Sequence, residues 1–324
     1  MRILLTGATG FLGNNLLRLL LEGGHDVVCT CRQGSDSRPF DGLNVDKLDV
    51  DFAELSSAGS ILDRIEFVIH SAAFIHIGWE CLQRSRQINV EATKVLAQAA
   101  RLKEIPMILV STVDVLGVAE SDQPVDESKS ELSNPACSYV VSKREAEVVF
   151  RQQLEQGLSG LIVNPGFVVG PWDWKPSSGK MLLEVGKNFT PLAPSGGCSV
   201  VDVRDVACGI VSAMQHGEPG ANYILAGHNV SYLDLWTKMC EIAGSRPPRG
   251  TLPDWLNAVA GRVGDLQCWL TGKEPTVNSA ATQMGALNHW YSSQKAVKEL
   301  GYKMGPFEDA ISDAWSWFEK YEYL

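Results

Sequence analysis

The feature that most constrains this chain is an alternation. Short runs rich in valine, isoleucine and leucine recur at Arg2–Thr6, His25–Thr30, Phe67–His70, Met107–Ser111 and Gly160–Val163. Segments with helical spacing lie among them, at Phe11–Leu21, Glu80–Arg101 and Ser138–Gln156. This order predicts βαβ units. Uninterrupted apolar runs suit strands covered on both faces, as in a parallel sheet flanked by helices. With right-handed crossovers, the expected fold class is α/β, a doubly wound parallel sheet. After Pro165 the texture changes. Pro171, Pro176, Pro191 and Pro194, with Gly179, Gly186, Gly196 and Gly197, mark loops. Ser199–Val203 and Asn222–Ala226 again read as strands, with a helix over Arg204–Gln215 between them, and from Ser231 onward the chain is mostly helical and tryptophan-rich. The expected division is a sheet domain over 1–165 plus about 198–227, and a smaller, mostly helical lobe over about 166–197 plus 228–324. A length of 324 residues suits one large domain with a smaller one.

Thr6-Gly7-Ala8-Thr9-Gly10-Phe11-Leu12-Gly13 sits between the first strand and the first helix. Glycines spaced G-x-x-G-x-x-G meet a specific need there. Gly7 turns the chain, Gly10 lets backbone approach a pyrophosphate, and Gly13 lets helix and strand pack closely. The helix N-terminus then offers amides to the anion. The motif points to a dinucleotide, the alternative being a glycine-rich turn with no ligand. In such a fold the end of the second strand meets the adenosine ribose, where an acidic residue would favour NAD. Here that end reads Thr30-Cys31-Arg32, with no acid. A guanidinium suits a 2′-phosphate, so Arg32, helped by Ser35 and Arg38, favours NADP(H) over NAD(H), although NAD(H) stays possible. The alternative is that Arg32 is only a solvated surface residue.

The formal charge of −10 and the absence of a lysine–arginine stripe give no footprint for nucleic acid. Phe11–Leu21 is too short and too polar to span a bilayer, and the N-terminus has no signal-peptide pattern. The eight cysteines show no C-x-x-C spacing and no histidine at metal-ligand spacing, so reduced thiols, no metal site and a cytoplasmic location are expected.

Tyr139 and Lys143 form Y-x-x-x-K on the helix after the fourth strand, and positions four apart share a helix face. Ser111 and Thr112 place hydroxyls at that strand's C-terminal end, where ligands of open α/β sheets bind. With these, the chain resembles an extended short-chain dehydrogenase/reductase of the epimerase/dehydratase family. The resemblance rests on T-G-x-x-G-x-x-G at 6–13, Leu48-Asp49, His70-Ser71-Ala72-Ala73, Asn89-Val90, the hydroxyl pair at 111–112, Y-x-x-x-K at 139–143, and Asn164-Pro165-Gly166 with Gly170-Pro171. Asn164–Lys180 and Tyr223–Ala226 look most like dihydroflavonol reductase-like proteins, which also resemble hydroxysteroid dehydrogenases.

The resemblance implies a Rossmann fold and specific roles. Tyr139 would be the general acid/base, Lys143 would hold the nicotinamide ribose and lower the tyrosine pKa, and Thr112 would bind the substrate oxygen, with Ser111 a possible substitute. Thr6, Gly7, Gly10, Phe11, Leu12 and Gly13 would cradle the cofactor. Asp49 and Val50 would contact adenine, Ala72 and Ala73 would line the cleft, and Pro165 and Phe167 would border the nicotinamide. Asn89 would support the site structurally. His70 and His76 read as packing or hydrogen-bonding residues. Phe74 and Asn134 are expected at the pocket mouth. Trp172 and Trp174 could stack on an aromatic or polycyclic substrate, or pack between lobes. A free phenol titrates near pH ~10, and a fixed ammonium with a positive nicotinamide would favour phenolate. The expected activity is carbonyl reduction or alcohol oxidation on a small molecule. The alternatives are a sugar-nucleotide epimerase or dehydratase that keeps NAD bound, and a catalytically silent NADP sensor. Helices near 80–101 and 138–157 resemble the family's four-helix dimer interface, so a homodimer is expected.

Overall fold

The computed structural model of the chain describes residues 1–52, 58–118, 123–129 and 137–324; Asn134 lies outside them. The elements of the first half are β1 (Arg2–Thr6), α1 (Phe11–Glu22), β2 (Asp26–Cys31), β3 (Asp46–Asp49), β4 (Phe67–His70), α2 (Leu82–Ser85), α3 (Ala92–Leu102), β5 (Met107–Val110), α4 (Ser138–Glu155) and β6 (Gly160–Pro165). There follow β7 (Phe167–Val169), α5 (Gly179–Lys187), β8 (Gly197–Asp202), α6 (Val203–His216), β9 (Asn222–Leu225), β10 (His228–Ser231), α7 (Tyr232–Ala243), α8 (Asp254–Thr271), α9 (Ser279–Gly285), β11 (Asn288–His289), α10 (Gln294–Leu300) and α11 (Phe307–Lys320).

Seven parallel strands form the main sheet in the order β3-β2-β1-β4-β5-β6-β9. This is the doubly wound α/β fold with its order reversal between β1 and β4, where the crevice for a ligand opens. Side chains alternate across the sheet. Ile3 and Leu5 of β1 join Leu16, Leu17 and Leu20 of α1 and Val206 and Ile210 of α6 on one face. Leu4 joins Leu96 and Ala100 of α3 and Phe150 of α4 on the other. Two hydrophobic faces explain why the strand sequences run apolar without interruption.

The second sheet was not expected. β8 pairs antiparallel with β10 and parallel with β7 and β11. Residues 199–203, assigned from sequence to the main sheet, therefore lie largely in the smaller one. The outer edge of β6 is taken by β9, with Ile162 opposite Asn222, which leaves β8 to extend the ladder begun by β7. The lobe is thus helices α5, α7 and α11 packed on a small sheet. The long helical pattern at 80–101 is also interrupted: between α2 and α3 the backbone takes a π-helical stretch, Arg86–Glu91, that carries Asn89. No helix among the described residues is long and apolar enough to cross a membrane.

Candidate active site

The glycine loop is built so that only glycine fits. Gly7 has φ 77°, and a Cβ there would meet the Ala72 amide nitrogen at 2.7 Å. A Cβ on Gly13 would meet the Gly7 carbonyl oxygen at 2.1 Å. Gly10 is exposed, and its N–H closes the turn on Gly7 O at 2.8 Å. α1 begins with no side-chain cap and no acidic residue in its first turn. Its leading amides therefore stay available to an outside anion. This cradle fits the diphosphate of a dinucleotide.

A buried chain of hydrogen bonds sets the loop against β4. The Ala72 N–H donates to Thr6 Oγ1 at 3.1 Å, and Thr6 Oγ1 lies 2.7 Å from His70 Nδ1. His70 Nε2 lies 3.1 Å from Thr93 Oγ1, whose hydroxyl donates to Asn89 O at 2.6 Å. Each donor has one acceptor only if His70 is neutral with its proton on Nε2. Burial, with Lys143 nearby, pushes the His70 pKa down to about 3, which agrees. Asn89 ties the next segment down. Its Oδ1 accepts from Phe74 N at 2.7 Å, while Nδ2 donates to Phe74 O at 3.0 Å and to Ser142 Oγ at 2.9 Å. Ser142 lies on α4 beside Lys143, so β4, the π-helical turn and the reactive helix are locked together.

Thr112 lies near enough to Tyr139 to act on the phenol's titration, lowering its pKa against the effect of burial. Thr112 rather than Ser111 is the hydroxyl engaged; the Ser111 Oγ is enclosed and has no partner among the described residues. Lys143 Nζ is buried and donates to Val110 O at 2.7 Å. Burial lowers the Lys143 pKa to about 8, against the raising effect of Glu147 one turn on. For Tyr139 the larger influences run upward. Burial first, then the Asp114 carboxylate, push its pKa well above the usual phenol value, and only Thr112 acts to lower it noticeably. The Lys143 ammonium is turned to the β5 backbone, where it donates to Val110 O. The phenol is held protonated.

Sequence reading missed a polar group beside these residues. Asp114, two positions after Thr112, accepts the Thr112 hydroxyl at 3.0 Å and lies 3.4 Å from His289 Nδ1. Burial would raise its pKa, but His289, Thr112 and Arg144 together outweigh burial and hold it below the usual value. Arg144, the neighbour of Lys143, has enclosed Nε and Nη2 atoms that bond to no described residue. His289 comes from the small lobe, and no local pattern marks it.

At the adenosine end, Arg32, Gln33, Gly34, Ser35, Asp49 and Asp51 line an open cavity. The Arg32 side chain is exposed and makes no ion pair with any described residue. Arg38, the expected helper, is paired with Asp36, which accepts from its Nε at 2.9 Å and its Nη2 at 2.6 Å. Asp49 lies opposite Cys31 in register, and Val50 N donates to Cys31 O at 2.9 Å. Pro165 ends β6 and Phe167 opens β7. Ala73 is exposed beside Ala72, Phe11 and Leu12 open α1 partly buried, and Phe74 lies under the Arg84 guanidinium. Trp172 and Trp174 do not form a free stacking surface. Trp174 packs edge-on against Trp317 and Tyr321, and Trp172 is covered by Arg18 at 3.5 Å from its ring centre. They join α1 and α11 across the lobes.

The chain matches the NAD dependent epimerase/dehydratase family over residues 3–226. It is 31% identical over 331 residues to a putative dihydroflavonol 4-reductase of Synechocystis, covering 98% of this chain and 95% of that one. It is 28% identical over 324 residues to sterol demethylase protein B of Methylococcus capsulatus, covering 99% of each. Among solved structures, gox2253 superposes with a TM-score of 0.87 at 32% identity, over 99% of this chain and 98% of that one. The chain therefore belongs to the NAD dependent epimerase/dehydratase family and is an extended short-chain dehydrogenase/reductase, an enzyme with a nicotinamide dinucleotide cofactor.

Proposed function

We propose that this enzyme is an NADP(H)-dependent carbonyl reductase or alcohol dehydrogenase, dihydroflavonol reductase-like, acting on a medium-sized, largely apolar molecule. The observation that carries the reading is Tyr139 one helical turn from the buried Lys143 on α4, with Lys143 Nζ anchored on Val110 O at the end of the strand that leads to Thr112. The nicotinamide cofactor supplies or accepts the hydride. The chain supplies position and the proton. The glycine loop and the α1 amides bind the diphosphate. Lys143 spends one of its three N–H donors on Val110 O and keeps the others for the cofactor ribose. In reduction, Tyr139 donates its phenolic proton to the carbonyl oxygen as charge develops there, and its burial keeps that proton in place until then. Thr112 sets the substrate oxygen beside the phenol. Relatives named for dihydroflavonol reduction and for sterol chemistry support an apolar substrate.

NADP(H) is favoured by Arg32, exposed at the adenosine cavity. Fluorescence titration with NADPH and NADH, followed by a carbonyl panel read at the nicotinamide absorbance, tests both halves. NADPH is expected to bind more tightly, and Arg32→Ala to weaken NADPH by about tenfold or more while leaving NADH unchanged, the size of a lost charge-assisted contact. Tighter binding of NADH by the unaltered enzyme overturns the cofactor preference.

A second reading, a sugar-nucleotide epimerase or dehydratase, is favoured by the match to the epimerase/dehydratase family over residues 3–226. NAD retained through purification, with no turnover of free cofactor, would select it.

A further inference from the structure

Lys143 carries its charge where water scarcely reaches. It is 3% exposed, and Val110 O, which accepts from Nζ at 2.7 Å, offers only a dipole. An ammonium so enclosed gives up its proton unless an opposite charge lies near. The titratable groups around it can be taken in turn. His70 on β4 is held neutral. Tyr139, one turn back on α4, is kept as the phenol by burial. Asp114, beyond the end of β5, is engaged by Thr112 and His289, and it bears on Tyr139 and on Arg144. Glu147, one turn on along α4, is the carboxylate that acts on Lys143. No hydrogen bond joins the two among the described residues, so the coupling is a field through the protein interior.

Glu147 is itself enclosed, with 9% of its side chain exposed. Its Oε1 accepts from Asn164 Nδ2 at 2.9 Å, and the same amide nitrogen donates to Thr112 O at 2.8 Å. Two acceptors facing one nitrogen fix the orientation of the Asn164 amide, and Asn164 in turn fixes the carboxylate over the ends of β5 and β6. This contact explains a polar group at 147 but not a charged one, because the oxygen of a glutamine would accept as well. The pair with Arg151 at 3.0 Å explains the charge no better. Arg151 is 43% exposed, and such an i,i+4 pair returns little against the cost of enclosing a carboxylate. What the charge adds is its effect on Lys143.

We propose that Glu147 is a positioning residue for the reaction, the counter-charge that keeps the enclosed Lys143 an ammonium and so able to hold the cofactor. The inference rests on the reading of Lys143 as the group that binds the nicotinamide ribose.

Fluorescence titration of the full chain with NADPH and NADH across a pH series tests it, with melting temperatures measured beside it. Glu147→Gln keeps the oxygen that Asn164 needs and removes only the charge. Lys143 titrates at about 8 in the unaltered protein. Loss of a buried unit charge one helical turn away is expected to lower that by about one unit or more. Glu147→Gln should therefore bind cofactor nearly as tightly as the unaltered protein near pH 6 and about tenfold less tightly near pH 9. Glu147→Asp keeps the charge, and its affinity should run parallel to that of the unaltered protein at every pH. A residue that only braces the fold would weaken binding evenly across the series. An even loss, no loss, or a loss confined to high pH in Glu147→Asp as well overturns the proposal and leaves the reading of the site standing. Lys143→Met that binds cofactor as tightly as the unaltered protein near pH 6 removes that reading, and the proposal with it.

Discussion

At the scale of the residue, the site is a set of buried polar groups whose protonation is fixed by their neighbours. Thr6 both accepts from Ala72 N and faces His70 Nδ1. Thr6→Val leaves both without a partner, and is expected to destabilise the protein by about 1–3 kcal/mol in chemical denaturation. His70 is held neutral in the fold, at about 3 against an ordinary 6.5. The unfolded chain takes up that proton first as pH falls, so the stability present above 6.5 is lost between 6.5 and about 3. Lys143 is lowered to about 8. Cofactor affinity is therefore expected to weaken as pH rises past about 8 and its ammonium is lost, and Lys143→Arg to flatten that limb of a titration series. Spacing paired Tyr139 with Lys143, and the family resemblance singled out Thr112 from its neighbour Ser111. Asp114 and Arg144 adjoin those residues in sequence, but only packing brings His289 to Asp114, so no local pattern could have joined the three.

At the scale of the element, the strands that were legible are those buried on both faces, such as β4 and β5, because an uninterrupted apolar run has few other uses. β3, Asp-Lys-Leu-Asp, was missed as a strand since it is an edge with little to bury, and β11 is too short to show a period. The expected 80–101 helix hides its π-helical stretch because hydrophobic spacing barely registers one widened turn. The glycine loop was legible because its conformation excludes other residues. Gly13→Ala would put a methyl group into the Gly7 carbonyl. It is expected to cost about 1–3 kcal/mol of stability and to abolish cofactor binding measured by titration.

At the scale of the whole molecule, the small lobe is where sequence said least. Its tryptophans suggested either a stacking surface or a core, and the contacts of Trp172 and Trp174 with Arg18, Trp317 and Tyr321 make it packing that joins the lobes. The main sheet sets the glycine loop, the Thr112 strand end and helix α4 around one crevice, and the lobe brings His289 to its edge. The central claim is that one phenol in that crevice moves the proton that accompanies hydride transfer. The direct measurement is NADPH oxidation by the Tyr139→Phe enzyme on a carbonyl that the unaltered enzyme reduces, with NADPH affinity measured beside it. Affinity should persist while turnover falls by about 10²–10⁴; turnover within a few-fold of the unaltered enzyme would contradict the claim.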